Sequence, residues 1–150
     1  MKQFLFFLTF MLFSFILKAQ KTEDSIKTVV NKLFDAMKNS DAILLKTTFA
    51  DSAVLQTITN DKDGKTIIEN DKVDDFAAVI TKITKGDADE RIVYDVIKID
   101  GPLAIVWAPY KFYYKGVFSH CGVDSFQLVK INGEWKIQYL IDTRRKRGCE

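Results

Sequence analysis

Beyond Gly86 the chain changes its hydrophobic period and does not change back. RIVYDVIKI (91–99), LAIVWAPYKFYY (103–114), VFSHCGVDSFQLVKI (117–131) and EWKIQYLIDT (134–143) are rich in β-branched and aromatic residues and alternate as strands do. Their joints are Asp100-Gly101-Pro102, Lys115-Gly116 and Asn132-Gly133, all turn formers. Asn-Gly between two such runs favours a type I′ hairpin, because both central positions need positive φ. A chain that devotes its C-terminal half to four long strands in hairpin order must build an antiparallel sheet and cover one face of it.

The cover comes from the first half. From Asp24 to Asn39 the residues Ile26, Val29, Val30, Leu33, Phe34 and Met37 recur at three and four, which predicts an amphipathic helix with Thr22 or Asp24 as its cap. Asp41 opens a short helical segment, AILLKTTF. AVLQTIT (53–59) and TIIE (66–69) flank an Asp63-Gly64 turn and read as a hairpin. A third helix runs from Asp71, with Val73, Phe76, Ala77, Ile80 and Ile83 on one side, and ends at Gly86. Helices first and a long meander last is an α+β order, with N-terminal helices packed in the concavity of a curved, mostly antiparallel sheet.

Turn-centred pairing assigns faces. A turn at Asn132-Gly133 sets Phe126 opposite Tyr139 and Asp124 opposite Ile141; one at Lys115-Gly116 sets Trp107 opposite Asp124, Lys111 opposite His120 and Tyr113 opposite Phe118. Paired side chains share a face. One face then holds Trp107, Lys111, Tyr113, His120, Asp124, Phe126 and Tyr139, and its apolar character on the last strand turns it toward the helices. Tyr110, Phe112, Cys121, Asp142 and Arg144 fall on the other face. A single β-bulge would invert these assignments locally.

The first nineteen residues have a lysine near the start, an apolar run from Phe4 to Leu17 and a small residue at Ala19. That is the layout of a signal peptide, and the run is shorter than the roughly twenty residues a spanning helix needs. Cleavage after Ala19 leaves a single domain, residues 20–150, for the periplasm or the exterior, with no membrane segment. It removes Lys2 and Lys18 and leaves basic and acidic residues equal in number, so nothing in the charge points to nucleic acid. RRKR (144–147) is short of a basic patch. An oxidising compartment makes a Cys121–Cys149 disulfide feasible. One histidine and no close cysteine pair supply no metal motif, and no phosphate loop or cofactor motif is present.

The strings from Trp107 to Arg145 resemble the nuclear transport factor two-like superfamily, in particular its small exported lumazine-binding group, with SnoaL-like proteins as wider relatives. Trp107, Tyr110, His120, Gly122, Asp124, Phe126, Trp135 and Asp142 match the family's pattern. The resemblance implies a cone-shaped α+β fold with a cavity at its wide end, and it implies that Trp107, His120 and Asp124 face that cavity. The superfamily includes isomerases, cyclases and dehydratases as well as binding domains, so the fold does not decide the function.

Three readings follow. As a binding domain, the chain holds a small planar molecule through Trp107, Lys111, Tyr113, His120, Asp124, Phe126 and Tyr139, where apolar walls meet a few polar groups. As an enzyme, it uses Asp124 as base and His120 or Tyr113 as donor; Asp124 and His120, four residues apart on one strand, stand about 13–14 Å from each other, too far for a direct hydrogen bond. As an interaction domain, it dimerises through Tyr110 and Phe112 on the outer face. Buried charge pairing of Asp124 with His120 or Lys111 is the purely structural alternative.

Overall fold

The computed structural model describes the chain from Lys2 to Cys149, with side chains from Gln20 onward. The expected cleavage site, after Ala19, and the segment before it lie outside the residues whose side chains are described. Helix α1 (Lys2–Lys38) is followed by α2 (Ala42–Thr47), β1 (Phe49–Asn60), β2 (Thr66–Asp71) and α3 (Val73–Ile80). The sheet continues with β3 (Ala88–Ile92), β4 (Val96–Asp100), β5 (Leu103–Tyr114), β6 (Val117–Ile131) and β7 (Glu134–Thr143). The predicted cap at Thr22 or Asp24 is not a helix start. No glycine or proline occurs before Gly64, so nothing local stops α1 from running through these positions.

The seven strands form one unclosed, curved sheet in the order β2-β1-β7-β6-β5-β3, with β4 also on β5. Every pairing is antiparallel except β1 with β7. The strand predicted over 91–99 is two: β3 and β4 share one edge of β5, separated by Val93, Tyr94 and Asp95. The third helix also stops at Ile80, short of Gly86.

Both two-residue turns form as their sequences require. Asn132 and Gly133 have φ of 50° and 88°, and Lys115 and Gly116 have 53° and 76°. Near the turns the pairing is the predicted one, with Leu128 opposite Ile137 and Tyr113 opposite Phe118. Two bulges then shift it by one residue. Ser119 is skipped between Tyr113–Phe118 and Phe112–His120, and Gln138 between Leu128–Ile137 and Gln127–Tyr139.

The core lies between the helices and the inner face of the sheet. Ile26, Val30, Leu33, Ala36 and Met37 of α1 meet Ala104, Val106 and Ala108 of β5, Phe126 and Leu128 of β6, and Trp135 and Ile137 of β7. Phe34 and Phe126 pack edge to face with centroids 6.2 Å apart. Leu45, Ala77 and Ile80 bring α2 and α3 into the same cluster.

On the outer face Cys121 is bonded to Cys149, with sulfurs 1.98 Å apart and Cα atoms 5.7 Å apart. Cys121 and Arg145 exchange two backbone hydrogen bonds of 2.9 Å, so the segment after β7 continues along β6 as an added bridge. Cys121 is thereby buried although it points away from the helices.

Candidate functional site

The two bulges decide which side chains meet. Beyond them the inner face of β5 carries Ala108, Tyr110 and Phe112; that of β6 carries His120, Gly122 and Asp124; and that of β7 carries Leu140 and Asp142. His120 and Asp124 are therefore inner-face residues, as their alternation suggested. Trp107 and Lys111, paired with Ser125 and Cys121, lie on the outer face, with Trp107 46% exposed. Tyr113 shares their side and stacks under the Arg91 guanidinium at 4.2 Å. Tyr139 pairs with outer-face Gln127 and donates to Gln56 Oε1 at 2.5 Å. These four residues do not line the inner cavity. Phe126 is a fully buried core residue beneath it.

Four groups placed elsewhere by turn-centred pairing, or missed by it, take their place. Tyr110, Asp142 and Arg144 come inside because of the bulges, and Glu90 comes from β3, whose start at Ala88 precedes the predicted strand. The ADERI alternation, Ala88, Glu90 and Ile92 inward, was the available sign of this.

The cavity is about 100 Å³ and opens between the C-terminal half of α1, the ends of β1 and β2, α3 and the sheet. Leu33, Phe34, Met37, Phe76 and Leu140 provide its apolar wall; Glu90, Asp124, Asp142, Tyr110, His120 and Arg144 provide its polar one. An outer chamber of about 290 Å³ shares Met37, Asp71, Phe76, Glu90, His120 and Arg144 with it and adds Phe112 and Asp75.

Asp142 is fully engaged. Its Oδ1 accepts from the Thr57 hydroxyl at 2.5 Å and its Oδ2 from Arg144 Nε at 2.8 Å, while Arg144 Nη2 donates to Thr57 Oγ1 at 3.1 Å. Tyr110 donates its hydroxyl to the Thr143 carbonyl at 2.9 Å and stands 3.3 Å from Asp142 Oδ2. Burial, then the neighbouring carboxylates, push the Tyr110 phenol far up, so it stays a donor. Gly122, directly opposite Tyr110, makes the crossing possible: a Cβ there would lie 2.7 Å from the Tyr110 ring and 1.7 Å from Thr143 O.

Asp124 and Glu90 form the other half of the polar wall. Asp124 is 4% exposed, and its Oδ2 has no donor among the described residues. Its carboxyl contacts that of Glu90, a contact that needs a hydrogen between the two groups. Burial above all, then the charge of Glu90, raises the Asp124 carboxyl well above the ordinary range; burial, then the charge of Asp142, raises Glu90. Both shifts favour retention of a proton by the pair, which titrates as a unit. His120 is kept neutral by burial and by Arg144, with Nδ1 on the Ser119 hydroxyl at 3.0 Å and its ring between Tyr110 and Phe112. Chemically, the site offers a shared acid proton, a phenol, an imidazole and aromatic walls. Among the described residues no cluster of side chains is suited to a metal ion.

A helix-filled, unclosed sheet with a polar-based cavity at its open end defines the NTF2-like class. Structures of that class align over most of the chain. An NTF2-like protein of unknown function from Shewanella baltica matches with a TM-score of 0.68 and 19% identity, over 84% of this chain and 95% of its own. A protein of unknown function with a cystatin-like fold from Nostoc punctiforme gives 0.65 and 13%, over 83% and 92%. An NTF2-like protein from Cytophaga hutchinsonii gives 0.60 and 18%, over 82% and 98%. The chain belongs to the family described as "Putative lumazine-binding", whose model matches residues 21–139. Among curated proteins none matches it.

Proposed function

We propose that the domain binds a small, largely planar organic molecule in the inner cavity, held between aromatic walls and the Glu90–Asp124 pair. The observation that carries this is Asp124: a carboxyl almost wholly buried, with an oxygen lacking a donor, at the base of a cavity whose opposite wall is apolar. A fold optimised for stability alone has no use for such a group, since a buried polar atom without a partner costs about 1–3 kcal/mol. The family's description, lumazine-binding, names a flat heterocycle and supports the same reading. Spectroscopic titration with a heterocycle library tests it: Asp124→Asn should weaken binding about ten- to a hundredfold with the fold intact. Binding unchanged by that substitution would place the ligand elsewhere.

The domain works outside the cytoplasm, after loss of residues 1–19. Support comes from the short apolar N-terminal run and from the Cys121–Cys149 bond, which suits an oxidising compartment. Among the described residues no helix is long and apolar enough to cross a membrane. N-terminal sequencing of protein from its native host should start at Gln20; recovery of the intact precursor overturns this.

The outer sheet face carries a second copy. Tyr110 and Phe112, on which a dimer was expected to rest, are inner-face residues; the exposed apolar residues are Leu103, Ile105 and Trp107 on β5. Sedimentation should show a dimer for the wild type and a monomer for Trp107→Glu. Equal masses would remove this face from consideration.

A further inference from the structure

The charges around the cavity are unequal. Asp71 from the end of β2, Glu90 from β3, Asp124 from β6 and Asp142 from β7 all line the inner chamber, and Asp75 from α3 joins Asp71 and Glu90 in the outer one. Arg144 is the cation facing both chambers, and it is committed to Asp142 and Thr57. His120, the other basic group, is neutral. The segment of α1 that lines the cavity contributes Leu33, Phe34 and Met37, with no charge.

We infer that the ligand carries a positively charged nitrogen, an ammonium or amidinium on a flat or aromatic body, which seats against Asp124 and Glu90. This deepens the binding reading above and rests on it. Two independent features point the same way. The Asp124 oxygen without a donor needs N–H groups, which a protonated amine supplies in number. Phe34, Phe76, Tyr110 and Phe112 offer ring faces or edges around the two chambers, and aromatic rings beside carboxylates are the usual surroundings of a bound organic cation. An anionic ligand meets the opposite: uncompensated carboxylates and, among the described residues that line the cavity, one arginine already bonded to Asp142 and Thr57.

Proton linkage gives the inference its own mark. A cation seated against Asp124 and Glu90 favours their ionised forms, so binding releases protons and strengthens as pH rises, until the ligand's own nitrogen deprotonates. Tyr110, His120, Asp142, Arg144 and Asp71 also face the pair; of these only His120 titrates near neutrality when unperturbed, and it is already neutral there.

The test is calorimetric titration of the mature protein at neutral pH with benzylamine and phenethylamine, against the isosteric benzyl alcohol and 2-phenylethanol, in buffers of different ionisation enthalpy. The amines should bind about ten- to a hundredfold more tightly than the alcohols, with proton release, and Glu90→Gln should abolish most of that preference. Alcohols or neutral heterocycles that bind as well as the amines overturn the cation inference and leave the binding reading standing. If no amine and no neutral heterocycle binds, both fail. Asp124→Asn is the stricter variant; should either variant not fold, the amine-to-alcohol ratio and the proton release in the wild type still decide.

Discussion

Gly122 has no room for a side chain: an added Cβ would sit 1.7 Å from the Thr143 carbonyl oxygen, which accepts from the Tyr110 hydroxyl, and 2.7 Å from the Tyr110 ring. Gly122→Ala must break one of these contacts, so it should cost about 3 kcal/mol or more in a denaturant melt, whereas Gly133→Ala, strained by positive φ but in open space, should cost about 1 kcal/mol. Equal losses would show that β6 and β7 can shift apart. Glu90 and Asp124 make a different kind of residue-scale claim. Their folded-state carboxyls are raised, so the folded chain holds a proton that the unfolded chain gives up near the ordinary carboxyl range. Their contribution is therefore fully present in acid and is lost as pH rises toward and past neutrality. Measured against Glu90→Gln from about pH 5 to about pH 9, the wild type should lose stability relative to the variant, and the contribution of His120 cancels in the comparison. A difference independent of pH would mean that the two carboxyls do not share a proton.

At the scale of elements, two bulges separate what the sequence showed from what it hid. Type I′ turns at Lys115-Gly116 and Asn132-Gly133 set the pairing beside them, and both were legible because few residues tolerate positive φ. A bulge has no comparable mark, and each skipped residue exchanges the two faces of the strand beyond it. That is why Trp107, Lys111 and Tyr139 read as inner-face and Tyr110, Asp142 and Arg144 as outer, while His120 and Asp124, which alternate without a break from Leu128 along β6, read as inner-face and are so. Glu90 was missed for another reason, a strand start taken three residues late. Helix positions were easier, since a 3.6-residue apolar stripe survives errors at its ends. The Cys121–Cys149 bond clamps the segment after β7 to β6 and keeps Arg144 over the cavity. Its 28-residue separation corresponds to about 3–4 kcal/mol in the chain-entropy description, so Cys149→Ser should lower the melting temperature. A melt identical to the wild type under oxidising conditions would show that the bond does not form in solution.

The whole molecule is a cone whose apolar interior is closed by Trp135, Ile137 and Leu128 at the β6–β7 turn end and left unfilled where β3, β5, β6 and β7 bring their polar residues together. Ala104 and Ala108 are fully buried in the core, and among the described residues α3 reaches the inner cavity only through Phe76. The gap between the helices and the sheet is the space assigned above to the proposed ligand, and its polar base is too costly to bury dry. The outer face, with Trp107 exposed, is a separate surface. Amide chemical-shift mapping of labelled residues 20–150 during titration with small planar amines tests most directly whether binding occurs inside the cone. The account predicts shifts concentrated at Glu90, Tyr110, His120, Asp124 and Asp142 and on Phe34 and Phe76 across the cavity; shifts confined to the outer face around Trp107, or none at any site, would contradict it.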